Sequence, residues 1–212
     1  MLVDAAVWPH RGERWAHLVS DASVDELHEF AHRLGVPFVA HQGDHYDVPA
    51  PLRAAAIAAG AEPVDARVLV RRLRAAGLRD RRAHVPWRWL ARDAPYADPA
   101  QVELLLDRAV VGGADLPIPV GAAVADRLHA AASELGHRAR TRPAVSVGWR
   151  PGQLLAGLRV DRVVGLDGPV LERTPAWSVH RSAGSRGTFV EVVTGAGVTP
   201  RPVRRTGAMW GA

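Results

Sequence analysis

A small N-terminal α/β domain followed by an α+β domain, with two helices packed on a mainly antiparallel sheet, is the fold class this sequence predicts. Three observations predict it. Residues 1–78 alternate short apolar runs with stretches of helical periodicity, the signature of a small α/β unit. Residues 99–135 carry two successive helical patterns, and from Pro143 onward the period changes to two, punctuated by Gly and Pro. With 212 residues and 48% hydrophobic side chains, the chain can build one large core or two small ones.

Each element follows from its residues. Leu2-Val3-Asp4 reads as a short strand ending on an acid, and Trp15 to Asp21 as a second strand with alternating polarity. Trp8 to Arg14 is the turn between them. Ser23 with Glu26 three residues later forms a capping box, and Leu27, Phe30, Ala31 and Leu34 then recur at helical spacing until Gly35. Val36 to Ala40 reads as a third strand, confined by Pro37 to an edge or a strand start. A polar loop, His41 to Asp47, leads to a helix opened by Pro51 and closed at Gly60, and Asp65 caps another that ends at Gly77. Residues 79–98 read as a linker bearing Arg, Pro86, Trp87, Trp89 and Pro95. Asp98-Pro99 opens a helix to Gly112, and a second helix runs from about Gly121 to Leu135. Strands are expected at 145–149, 158–164, 169–172, 177–180 and 188–193, and an irregular tail from Thr199.

Composition excludes several classes of protein. There is no cysteine, hence no disulfide framework, thiolate nucleophile or Cys-ligated metal, and His, Asp and Glu are the conventional ligands left. No apolar stretch approaches the length of a bilayer span, and no secretory signal opens the chain, so a cytoplasmic protein without a membrane partner is expected. P-loop, dinucleotide and Gly-x-Ser-x-Gly motifs are absent from the sequence.

The net charge of +5 points toward an anionic partner, although the 27 basic residues are all Arg and reflect a composition without Lys or Asn. The excess sits in the second half, residues 99–212. Within the first half, nine arginines from Arg67 to Arg92, Arg81 and Arg82 among them, face only Asp80 and Asp93. That stripe reads as a solvated helix face running into a basic linker, or as a phosphate-binding surface.

Reactive side chains crowd into two stretches, Asp4 to Asp21 and His41 to Asp47, both beside predicted strand ends. Parallel strands would place Asp4 and the 41–47 loop at the crevice where ligands bind, and the helix start near Ala50 would favour an anion beside His45 and Tyr46. Three chemistries fit. Asp4, Asp44 and Asp47, with His45 and His17, could hold Mg, Mn or Zn and activate water on a phosphoester. Without metal, His45 or His17 could move a proton, oriented by Asp47 or Asp4, while Arg11 and Arg14 clamp a substrate anion beside Tyr46 and Trp8. Alternatively the same groups are structural, with Asp47 a helix N-cap and His45 a buried donor. His28 and His32, four apart on the first helix, point away from its apolar face and are expected to be solvated, and His129, His137 and His180 lack sequence-local carboxylate partners.

Val3-Asp4, Ala6-Val7-Trp8-Pro9, Arg11-Gly12, Trp15, His17-Leu18, Asp21, Asp25 to His28, Phe30-Ala31, Leu34-Gly35, Asp44 to Val48 and Leu69 to Arg74 together resemble a bacterial and phage family known as domain of unknown function 4031. The resemblance spans roughly residues 1–78. It implies a compact domain in which Asp4, Arg11, His17 and His45-Tyr46-Asp47 belong to one pattern, and it implies no activity. The organisation expected is a domain at 1–78, a linker at 79–98 and a second domain at 99–212, which would serve as an accessory, dimerising or lid element. The leading expectation is an enzyme acting on a phosphate-bearing small molecule, a nucleotide or a nucleic-acid-derived substrate, with a homodimer allowed. Its competitors are a noncatalytic nucleic-acid-binding module using the Arg67–Arg92 stripe with Trp87 and Trp89, and a structural, partner-binding protein.

Overall fold

The computed structural model describes residues 1–10, 12–79, 85–114 and 118–195. Arg11, Asp80, Arg81, Arg82 and the tail from Thr199 lie outside the described residues.

The N-terminal region is a small α/β unit, and its strands form one sheet. β1 (Leu2–Val3) and β2 (Trp8–His10) lie along one edge of β3 (Glu13–Val19), β4 (Tyr46–Pro49) lies along the other, and β5 (Glu62–Pro63) pairs with β1. Only β1 and β5 run parallel within it. The 44–47 stretch is therefore placed by an antiparallel ladder with β3, not by the mouth of a parallel sheet. α1 (Val24–Arg33), α2 (Ala50–Ala58) and α3 (Ala66–Ala75) cover the sheet, and its core gathers Val3, Leu18, Leu27, Phe30, Tyr46 and Val48. Ser23 caps α1 by accepting the Glu26 N–H at 3.0 Å, while the Glu26 carboxylate bonds the Ser20 hydroxyl instead of returning to the cap. Pro49, not Asp47, is the N-cap of α2.

Val36 to Ala40 is not a strand. Phe38–Ala40 forms a 3-10 turn whose first two N–H groups are captured by the buried Glu191 carboxylate, at 2.5 Å from Phe38 and 2.9 Å from Val39. A partner distant in sequence thus supplies what a neighbouring strand would have supplied.

The second sheet has the order β6-β7-β8-β11-β10-β9, antiparallel at every step. Its strands are β6 (Arg88–Pro95), β7 (Ala144–Arg150), β8 (Gln153–Val160), β9 (Leu171–Arg173), β10 (Trp177–Gly184) and β11 (Gly187–Gly195). Arg88–Pro95, in the span read as a linker, is an edge strand. Trp89 lies over Gly148, where a Cβ would stand 2.7 Å from the indole. α4 (Pro99–Val111) and α5 (Ile118–Ala139) pack on one face through Leu106, Leu128 and Leu135 against Val145, Leu158 and Val190. Each such fully buried leucine contributes roughly 1.5–3 kcal/mol.

The other face explains why β8 and β11 are buried on both sides. Leu155 and Val193 meet Phe38, and His180 of β10 meets His28 and His32 of α1. α1 is therefore buried on two faces: Leu27, Phe30 and Ala31 toward its own sheet, His28 and His32 toward β10. The expected solvated pair is 3% and 2% exposed, and His180 joins it. Gly35, at φ +77°, ends α1 against the backbone of Ala183 and Gly184. No described helix is long and apolar enough to cross a membrane.

Candidate metal centre

Strand alternation builds the site. In β4 and the residue before it, His45 and Asp47 share one side and Tyr46 takes the other. Tyr46 is fully buried, with its hydroxyl 2.8 Å from His28 Nδ1, so it offers no surface to a substrate and the expectation of a binding role is corrected by its direction. His17 pairs with Asp47 across the β3–β4 ladder. Asp4, just past β1, reaches the same point from the far edge of β3: its carboxylate accepts the His17 N–H at 2.7 Å and the His17 Nδ1–H at 2.8 Å.

His17 and His45 are held in the same way. His45 Nδ1 lies 2.6 Å from Asp44 Oδ1, and the other Asp44 oxygen accepts from Arg79 at 2.9 Å. Each imidazole thus has Nδ1 on a buried carboxylate and Nε2 turned to Asp47 Oδ1, at 3.9 Å from His17 and 3.5 Å from His45. The rings meet edge to face with centroids 5.2 Å apart. Gln42 steadies Asp47 by donating from Nε2 to Oδ2 at 2.5 Å, and Arg53 donates to the Asp4 carbonyl at 2.5 Å. His45 and Asp44 are buried, whereas the His17 and Asp47 side chains are 31% and 36% exposed, which opens the group to solvent on their side.

The electrostatics favour a cation. Burial pulls the His45 pKa down, but hydrogen bonds and charge from Asp44 and Asp47 outweigh it and hold the imidazole up at about 9. Among the described residues, one trio of His, Asp and Glu brings a donor atom from each within 4.8 Å of the others: His17, His45 and Asp47. Two imidazoles and one carboxylate suit Zn, Mn or Fe(II), and hydrogen-bonded carboxylates behind ligating histidines are the usual outer support of such sites. Of the residues expected to hold a metal, His17, His45 and Asp47 come together, whereas Asp4 and Asp44 face ring nitrogens instead.

The remaining expected residues distribute unevenly. Trp8 is 58% exposed and stands edge-on to His17, with centroids 6.0 Å apart. Arg14 is exposed, falls on the opposite side of β3 from His17 by alternation, and donates to the Val7 carbonyl. Arg11 lies outside the described residues. The arginine stripe divides: Arg72 pairs with Asp21 and Glu62, Arg79 with Asp44, and Arg88 and Arg92 stack on Trp149 and Trp89. Trp87, expected to be available for a base, lies under Arg150 at 4.4 Å. Arg67, Arg71 and Arg74 remain on one open face of α3. Gln42, Arg53 and Arg79 were not foreseen as part of the site. Only Gln42, two residues before Asp44, carried a signal, by its place in the polar stretch.

Residues 1–76 match the model of a family described as a protein of unknown function (DUF4031). Asp4, His17, Gln42, Asp44, His45 and Asp47 all fall within the match, whereas Arg79 and the whole second sheet fall beyond it. No curated protein and no solved structure matches the chain.

Proposed function

We propose that His17, His45 and Asp47 bind a divalent metal and that the protein hydrolyses a phosphoester in a nucleotide or nucleic-acid-derived substrate. The observation that carries this reading is the repeated arrangement of the two histidines, each with Nδ1 on a carboxylate and Nε2 toward Asp47. An ion held by three protein groups supplies Lewis acidity and lowers the pKa of the water it carries. The protein's own part is orientation. Asp4 and Asp44 fix the ring tautomers, Gln42 fixes Asp47, and Arg79 offsets charge on Asp44. The exposed Trp8 indole beside His17 offers a stacking surface for a base.

A chromogenic phosphodiester and short single-stranded DNA and RNA, assayed with Mn2+ or Zn2+, test the reading. Turnover should vanish with chelator, return with metal, and fall at least about 100-fold in Asp47→Ala, the scale on which lost orientation and charge stabilisation act. Metal-independent turnover, or full activity in Asp47→Ala, sinks it.

A second reading rests on a different observation: Arg67, Arg71 and Arg74 share one open face of α3 around Val70. It makes the protein a binder of phosphate backbones without turnover. Its mark is affinity for single strands that falls steeply with added salt and is lost when the three arginines are replaced by alanine.

A further inference from the structure

We propose a second metal site, enclosed between the N-terminal unit and the large sheet, with His28, His32 and His180 as ligands and a late first-row ion such as Zn2+ or Co2+ as occupant. It is independent of the surface trio. The three rings are 3%, 2% and 1% exposed, and they come from α1 on one side and β10 on the other. Neither nitrogen of His32 has a hydrogen-bond partner, nor has His180 Nδ1, and His41, whose ring centroid is 4.6 Å from that of His28, has two more unpartnered nitrogens. A buried polar atom left so has given up its water for nothing in return, and a native interior holding several calls for water or an ion at that point.

The pairing of the other nitrogens favours the ion. His28 Nδ1 is 2.8 Å from the Tyr46 hydroxyl and His180 Nε2 is 2.6 Å from Ser178 Oγ, so each ring is already held from behind, as ligating histidines are. That leaves Nε2 of His28, Nδ1 of His180 and either nitrogen of His32. Ring centroids are 6.1 Å apart for His28 and His32, 5.2 Å for His28 and His180, and 4.9 Å for His32 and His180. A zinc–nitrogen bond of about 2 Å puts the ion roughly 3 Å from each centroid, so rings on one tetrahedral ion stand about 5 Å apart, a spacing His180 has to both partners, while His28 and His32, at 6.1 Å and nearly parallel, must close on it. The nitrogens themselves stand wider than those of the surface trio. Closing on an ion takes a turn of the rings about Cβ–Cγ, a broad and soft torsion in histidine. Burial keeps all three rings neutral, the form that binds metal, and a chain without cysteine has no softer ligand. An ion there would tie α1 to β10 and so join the family-matched region to the sheet beyond it.

Zinc content per chain separates the two sites, measured by elemental analysis on full-length protein from zinc-supplemented culture purified without chelator. The expected counts are two in the wild type, one in His45→Ala and one in His32→Ala. The ion retained by His45→Ala should also raise its Tm by about 5 °C or more over chelator-stripped protein. A His45→Ala protein without zinc overturns the interior site, whatever the surface trio does, and assigns the unpartnered nitrogens to water. Should His32→Ala lose all zinc while His45→Ala keeps one, the surface reading fails and the interior one stands. If His32→Ala does not fold, the His45→Ala count alone decides.

Discussion

His17 and Asp47 are register partners in the β3–β4 ladder, and their side chains leave the sheet on the same side, with Nε2 3.9 Å from Oδ1. The candidate metal centre is a consequence of that register. A slip of one residue would turn Asp47 and His45 to the opposite side and bring Tyr46 out of the core. The slip is prevented by Tyr46 itself, whose full burial against Leu27, Phe30 and His28 fixes β4 in place. One aromatic residue in the Asp-His-Tyr-Asp stretch thereby aims its two polar neighbours.

Asp4→Asn and Asp44→Asn should each weaken metal binding about 10- to 100-fold without removing a ligand, because the amide can no longer hold its histidine with a full negative charge. Competition against a chromophoric chelator reads this directly. Unchanged affinity in both variants would mean that the two carboxylates serve folding alone.

Gly35→Ala should destabilise the protein by at least about 2 kcal/mol, since the residue adopts φ +77° and a Cβ would stand 2.6 Å from the Ala183 carbonyl oxygen. The denaturation midpoint measures it. Gly60→Ala has a similar backbone conformation, at φ +101°, but open space around its Cβ, and should cost less. Equal losses would show that the α1–β10 contact is not tight.

Metal-free protein should lose stability as pH falls below 6.5. Burial, with charge from neighbouring histidines and arginines, lowers His28 to about 3 and His32 to about 4, and holds His41 and His180 well below 6.5. The unfolded chain takes up these protons first, so the stability present above pH 6.5 is lost progressively toward pH 4. Glu191 acts oppositely: burial raises it to about 7 despite the Phe38 and Val39 N–H donors, so it gains stability as pH falls from 7 to 4.5. His45, held up at about 9, adds stability as pH falls from 9 through 6.5 and nothing further once it is protonated in both states below about pH 5.5. Four histidines outweigh one glutamate, at about 1.4 kcal/mol per net proton per pH unit. Chelated protein melted at pH 6.5, 5.5 and 4.5 should therefore show a falling Tm. A rising Tm contradicts the burial of these rings.

What the sequence revealed, and what it hid, follows from the range of the interactions. Ser23, Asp65 and Asp98 cap helices through bonds two or three residues away, and those starts were legible. The crowding of Asp4, His17, His45 and Asp47 into two short stretches was legible too, but not the antiparallel β3–β4 ladder that brings those stretches together, because 41–47 read as a loop. The roles of Asp4 and Asp44 depended on which side of His17 and His45 each carboxylate reached, which spacing does not encode. His28 and His32 looked solvated because one helix was read with one buried face, whereas β10, about 150 residues later, buries the other. Phe38 likewise read as strand until Glu191, 153 residues away, took its N–H.

The most direct test of the surface site is anomalous diffraction from crystals soaked in Mn2+, collected at a wavelength where manganese scatters. The account predicts a peak bonded to His17 Nε2, His45 Nε2 and Asp47 Oδ1 that disappears in Asp47→Ala. An ordered site with no peak there, or a peak that survives in Asp47→Ala, would contradict it.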